Sequence, residues 1–222
     1  MKNIVIFDLD YTLTKKGTWG RFVFHTVKYK PWIWLPLILS AGFAQWRYKA
    51  GYTPRISVKQ SMMKWSMVGC SKIKMKKLAI EFARNEVLQG LRPGAIETLN
   101  CHKALGDTII IASAAVDLLV KPIAELLKID HWVATNMSWT NGVLRKEFAS
   151  KNCYGPEKLQ RVKLLLQDTL MFNRSEILIK MYTDSISDID ILRFSDFGVA
   201  VNPDRKLAKA AIDENFEIVN WN

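Results

Sequence analysis

Four groups of residues in this chain have the types and spacing for chemistry on an anion. Asp8 and Asp10 stand two apart in N-I-V-I-F-D-L-D-Y-T-L-T, with Thr12 two residues further on. Ser113 follows the apolar run I-I-I-A, and Lys158 lies in C-Y-G-P-E-K. Asp184, Ser185 and Asp188 lie in T-D-S-I-S-D, with Asp190 just beyond. Taken singly, each has a plain reading. A serine after a strand caps a helix, a lysine sits on the surface, and Asp188 caps the helix that follows it. Taken together, carboxylates, a lysine and hydroxyls make a site for a hard cation and a phosphate. Mg2+ takes oxygen ligands, and with Lys158 it lets the pocket accept a phosphate that the acids alone would repel.

Such a site needs its parts brought to one edge of one sheet. Ile4, Val5, Ile6 and Phe7 form a short apolar run rich in β-branched residues, suited to a strand buried on both faces, and it ends at Asp8. Residues 107–112 read as the next buried strand, ending at Ser113, with a helix over 116–127 behind it. A short strand over 131–135 precedes a hairpin within 139–148, marked by Asn141-Gly142. Pro156 opens a helix to about residue 167 that carries Lys158 in its first turn. A strand over 177–182 ends at Asp184, followed by a helix over 189–194, a strand over 197–201, a helix over 206–212 and an edge strand over 216–221. Strands alternating with helices predict an α/β fold with a doubly wound parallel sheet. If all its strands are parallel, every group named above lies at the carboxyl edge, where open α/β sheets bind ligands.

The set resembles the four motifs of the haloacid dehalogenase-like superfamily: D-L-D-Y-T, I-I-I-A-S, the lysine of C-Y-G-P-E-K, and D-S-I-S-D. Within it the chain is most similar to the phosphoserine-phosphatase-like branch (subfamily IB). The resemblance implies a Rossmann-like core of residues 1–14 and 91–222, with residues 15–90 as an inserted helical cap. It implies Asp8 as the nucleophile that forms an aspartyl-phosphate, and Asp10 as general acid and then base. Mg2+ would be held by Asp8, the main-chain carbonyl of Asp10, and Asp184. Ser113, Lys158 and Thr12 would hold the phosphoryl oxygens, with Asp188 and Ser185 in support. Phosphoserine phosphatases carry a glutamate nine residues beyond the nucleophile, where this chain has Gly17, and Tyr11 stands where glycine or serine is frequent. Both departures argue against phosphoserine as substrate.

The region between the first two motifs offers something else. Residues 31–46, P-W-I-W-L-P-L-I-L-S-A-G-F-A-Q-W, contain no charge, with Lys28 and Lys30 before them and Arg47 and Lys49 after. The run is shorter than the roughly 20 residues needed to span a bilayer, and Pro36 and Gly42 are expected to interrupt it. Tryptophans near both ends and basic flanks suit an interfacial segment on an anionic membrane surface; a buried helix or a dimer interface are the other readings. Trp19 and Arg21 are candidate substrate contacts from the cap. In architecture the chain resembles bacterial phosphatidylglycerophosphatase C-type enzymes, which implies a phosphorylated lipid headgroup as substrate. A soluble-metabolite phosphatase and a phosphotransferase share the same motifs. The formal net charge of +11 favours anionic partners, but a nucleic-acid binder does not explain acids at strand ends, and none is expected. Three widely spaced cysteines form no disulfide or zinc pattern. With no signal peptide read at the N-terminus, the expected location is cytoplasmic, peripheral on the inner face of the membrane.

Overall fold

The computed structural model describes residues 1–222. Strand β1 (Lys2–Phe7) lies inside a six-stranded sheet, and its last four residues are buried. Beside it run β2 (Thr108–Val116) and β3 (His131–Thr135) on one side. On the other run β6 (Ile177–Thr183), β7 (Phe197–Val201) and β8 (Glu217–Val219). With the separate hairpin of β4 (Met137–Thr140) and β5 (Val143–Phe148), the main sheet reads β3-β2-β1-β6-β7-β8, parallel throughout. Because strand side chains alternate between faces, β1 feeds two cores. Val5 and Phe7 pack with α5 (Pro93–Ala104) and α6 (Asp117–Leu126) on one side. Ile4 and Ile6 belong to the core covered by α7 (Pro156–Leu164), α8 (Ile189–Phe194) and α9 (Arg205–Asp213). This is the doubly wound α/β fold expected from the alternation.

The chain leaves the sheet at Thr14 and returns at Leu91, and these two residues form an antiparallel bridge. Lys15 N–H donates to the Gly90 carbonyl at 2.7 Å, and Arg92 N–H to that of Leu13 at 2.9 Å. Between them lie four helices, α1 (Thr18–Val27), α2 (Pro31–Lys49), α3 (Ile56–Ser66) and α4 (Lys72–Asn85). Their core, with Phe22, Met63, Met75 and Phe82, is continuous with Leu119 of α6 and with Met137 and Leu144 of the hairpin. The hairpin also bonds to this helical insert through backbone: Gly69 N–H reaches the Leu144 carbonyl and Lys72 N–H that of Gly142. The hairpin turn has Asn141 and Gly142 both at positive φ, 49° and 74°, the two-residue loop that suits the right-handed twist of its strands.

Three expectations change. Residues 31–46 are not interrupted: α2 runs unbroken from Pro31 to Lys49. Pro36 removes one N–H, but that turn is solvent-accessible, so the unpaired carbonyl can meet water, and Gly42 has nothing packed on it. Strand β2 passes Ser113 and runs to Val116, with an irregularity in its pairing to β3 between Ala112 and Val116. The last strand is only Glu217–Val219, because the chain turns inward there: Trp221 is buried with its ring 5.3 Å from Tyr182 and 6.3 Å from Phe7. No helix is long and apolar enough to cross a membrane.

Candidate active site

The parallel sheet brings Asp8, Asp184 and Asp188 to one edge, and Lys158 sits among them. Asp8 follows β1, and its N–H is held by the Tyr182 carbonyl at 2.9 Å. Lys158 reaches it from α7. Gly155 makes that approach possible, since its φ of 59° with ψ of −133° is a conformation open to glycine alone. Pro156 then starts the helix and Lys158 falls in its first turn. Lys158 Nζ donates to Asp8 Oδ1 at 2.9 Å and to Asp188 Oδ2 at 2.7 Å, and all three residues are buried. Thr183 Oγ1 adds a 2.8 Å bond to Asp188 Oδ2. Ser185 caps the short turn that presents Asp188, accepting from Ser187 N–H.

Burial pushes the Asp8 carboxyl up to about 8; Lys158 opposes the shift, and Asp188 and Asp184 add to it. Asp184 is pushed up to about 6 by burial, with Asp188 adding and its hydrogen bond from Thr12 tempering the rise. Burial alone would lower the Lys158 ammonium, but Asp188 and Asp8 outweigh it and hold it above the ordinary lysine value. Three carboxylates thus face one fixed cation, and Asp188 Oδ1 is buried with no partner. No three His, Cys, Asp or Glu side chains converge on a common point. Asp8 and Asp184, with main-chain oxygen and water, would offer a cation an all-oxygen donor set, which suits a small hard ion retaining part of its hydration.

Thr12, expected as a phosphate ligand, lies against Asp184. Its hydroxyl donates to Asp184 Oδ1 at 3.0 Å and accepts from Asp184 N–H at 2.9 Å, so its single proton is committed to orienting that carboxylate. Ser113 is buried, its Oγ accepting from Ala115 N–H at 3.0 Å, which leaves its own proton available. Asp10 Oδ1 accepts from Thr18 N–H at 2.8 Å, and this bond ties its carboxyl to the start of α1. Asp190 makes no contact with this group in the hydrogen-bond or ion-pair network.

A cavity of about 780 Å³ opens beside Asp10, between the sheet edge and the insert. Trp19, Arg21, Phe24, Gln45, Arg55 and Lys59 are among its walls. Trp19 is buried, while Arg21 is engaged with the buried Glu86 at 2.6–2.7 Å, so much of its charge serves the insert itself. Tyr11 also borders the cavity and takes a left-handed φ of 65°. A Cβ at Gly17 would lie 3.3 Å from its ring. The two departures from the phosphoserine-phosphatase pattern are therefore one feature: the Tyr11 ring presses on the space that a side chain at 17 would enter. Arg55 and Lys59, and the loop residue Asn152 that Lys59 bonds, carry no motif, and nothing in the sequence marks them; only folding brings the first two to the cleft. A second cavity, of about 600 Å³ between α4 and α6, contains none of the motif residues.

The model of haloacid dehalogenase-like hydrolases matches residues 5–193. The chain belongs to that family. Among relatives, it is 30% identical over 128 residues to a probable phosphatase of Mycobacterium tuberculosis, a match covering 57% of this chain and 43% of that protein; the chain spans less than half the length of that relative. It is 23% identical to a histidinol-phosphatase of Neisseria meningitidis over the full length of both. Among solved structures, a Bordetella pertussis protein of unknown function superposes over all of both chains with a TM-score of 0.86 at 18% identity. A phosphoserine phosphatase in a phospho-aspartyl intermediate analogue form gives 0.63 at 14% identity, covering 100% of this chain and 94% of that one. These superpositions show a shared fold.

Proposed function

We propose that this family member is a Mg2+-dependent phosphomonoester hydrolase that works through Asp8 on a phosphorylated lipid headgroup, with residues 15–90 as its cap. The carrying observation is the buried Asp8–Lys158–Asp188 arrangement beside Asp184. It supplies a nucleophile, a fixed cation and an oxygen site for a metal. Asp8, the Asp10 carbonyl and Asp184 would hold Mg2+, which would supply the charge that keeps buried carboxylates ionised and offsets their repulsion of a phosphate dianion. An Asp8 oxygen attacks phosphorus as the bond to the leaving oxygen breaks, and the Asp10 carboxyl gives that oxygen its proton. Water then attacks the aspartyl-phosphate, Asp10 takes the water's proton, and phosphate leaves. Lys158 and the Ser113 hydroxyl stabilise the oxygens on which charge develops.

The lipid reading rests on the insert. Between Lys15 and Ile80 the chain has fourteen lysines and arginines and no acid. The whole chain is +11, so everything outside that stretch sums to −3. Helix α2 buries only Leu37. Trp32, Leu35, Leu39, Phe43 and Trp46 recur at spacings of three and four along one stripe, 58–71% exposed. Gln45 of α2 borders the cavity, and Phe24, another wall, packs edge-on against Trp34. An apolar stripe with basic flanks beside the cleft mouth matches an anionic membrane surface, which would place the protein peripherally on the inner face of the membrane. The full-length match to a histidinol-phosphatase favours a second reading, a soluble-metabolite phosphatase with α2 covered by something else. A Mg2+-supplemented screen of phosphatidylglycerophosphate, phosphatidate, lysophosphatidate, phosphoserine and histidinol phosphate, with and without anionic vesicles, decides between them. Preference for a soluble ester, unaffected by vesicles, overturns the lipid reading.

A further inference from the structure

Besides the Thr18–Asp10 bond at the start of α1, the insert meets the catalytic edge through a face of α3 that no motif marks. On α3, Arg55 immediately precedes the first turn and Lys59 follows four residues later, so both project to the same side. The Arg55 guanidinium lies 4.4 Å from the centre of the Tyr154 ring. Lys59 Nζ donates to the Ala114 carbonyl at 2.5 Å and to Asn152 Oδ1 at 2.8 Å. Thr135 Oγ1 joins the same cluster, 2.9 Å from the Ala114 carbonyl and 3.2 Å from Asn152 Oδ1, and accepts from Cys153 N–H. Ala114 directly follows Ser113. Asn152 and Tyr154 belong to the loop that ends at Gly155 and delivers Lys158. Lys59 is the one side chain of the insert whose hydrogen bonds reach these loops.

Resting on the phosphomonoester-hydrolase reading, we infer that Lys59 is a positioning residue: its ammonium joins the seated insert to the two loops that carry Ser113 and present Lys158, so the phosphate-holding groups align only while α3 is docked. A half-buried lysine whose ammonium is spent on a carbonyl and an amide oxygen needs a reason. Burial lowers it to about 8, Asp10 and Cys153 work against that shift, and Arg55 and Lys158 reinforce it. A methionine of similar length would avoid the cost of burying a charge, but it would leave the Ala114 carbonyl and the Asn152 amide oxygen without this donor.

The test uses the full chain with Lys59→Met and Lys59→Arg. Hydrogen–deuterium exchange reads docking over residues 56–66 and 149–155. Calorimetry with inorganic phosphate and Mg2+ reads the phosphate site, and a soluble chromogenic phosphomonoester reads turnover. The methionine variant is expected to exchange faster in both segments, to bind phosphate about tenfold more weakly and to lose kcat more than it raises KM. The arginine variant, whose charge persists at any accessible pH, is expected to recover most of the loss. Unchanged exchange overturns the inference. Faster exchange with phosphate affinity within twofold of wild type also overturns it, by reducing Lys59 to a tether. Should the methionine variant not fold, Lys59→Gln, which keeps a donor without the charge, is measured in the same way. A wild type that turns over no phosphomonoester fails the hydrolase reading, while exchange and phosphate affinity still decide the role of Lys59.

Discussion

Replacing Asp8 with asparagine is expected to abolish turnover and, without metal, to stabilise the fold. The Asp8 carboxyl sits at about 8 in the folded protein, against about 3.9 in an unfolded chain. Between those values the folded state retains a proton that the unfolded chain has released. Wild-type stability is therefore fullest below the unfolded value and falls as pH rises, by about 1.4 kcal/mol per unit, until the folded value is passed. Asparagine is neutral throughout and can still accept from Lys158 through its amide oxygen, so it lacks this dependence. Asp184, also raised, is present in both proteins and largely cancels in their difference. From about pH 5 to about pH 7 the stability gap should widen in favour of the variant by about 3 kcal/mol. For a chain of this size that is about 6–12 °C in Tm. Melts in EDTA across that range measure it. Mg2+ should then raise the Tm of the wild type well above its effect on Asp8→Asn. A gap that stays constant with pH, or equal stabilisation of both proteins by Mg2+, refutes the account of a carboxylate strained for want of a cation. Residual activity above about a thousandth of wild type refutes Asp8 as the nucleophile.

Lys158→Met should eliminate turnover and destabilise the fold by about 3–5 kcal/mol near neutral pH, because Asp188 remains buried without its partner; urea unfolding measures this, and Asp188→Asn in the same background should recover part of the loss. EDTA should remove activity and Mg2+ restore it, whereas full activity after exhaustive chelation would rule out the metal role given to Asp8 and Asp184. Serine at Trp32 and Phe43 should reduce sedimentation with anionic vesicles and turnover of lipid substrate while a soluble ester is still hydrolysed; equal loss of both activities would make α2 a packing element. Trp34 is the poorer probe, since its indole N–H donates to the Val27 carbonyl at 3.1 Å and its loss would disturb the start of α2.

The sequence by itself determined the sheet and the address of each motif. Four apolar residues ending at Asp8, a second apolar run ending at Ser113 and a third ending at Asp184 can be read as parallel strands because strand periodicity and helix alternation are local properties. Once the strands are parallel, their carboxyl ends must share an edge. The continuity of α2 was not legible, because the cost of a helical proline depends on whether the freed carbonyl meets water, and that is settled by exposure. The fate of the Thr12 hydroxyl was equally hidden: its proton goes to Asp184, 172 residues away in sequence. The same holds for Tyr11 against Gly17 and for Lys59 against Ala114 and Asn152. Local pattern specifies which elements form and in what order they come; hydrogen-bond partners and shared space arise between elements distant along the chain, and only the folded packing decides them.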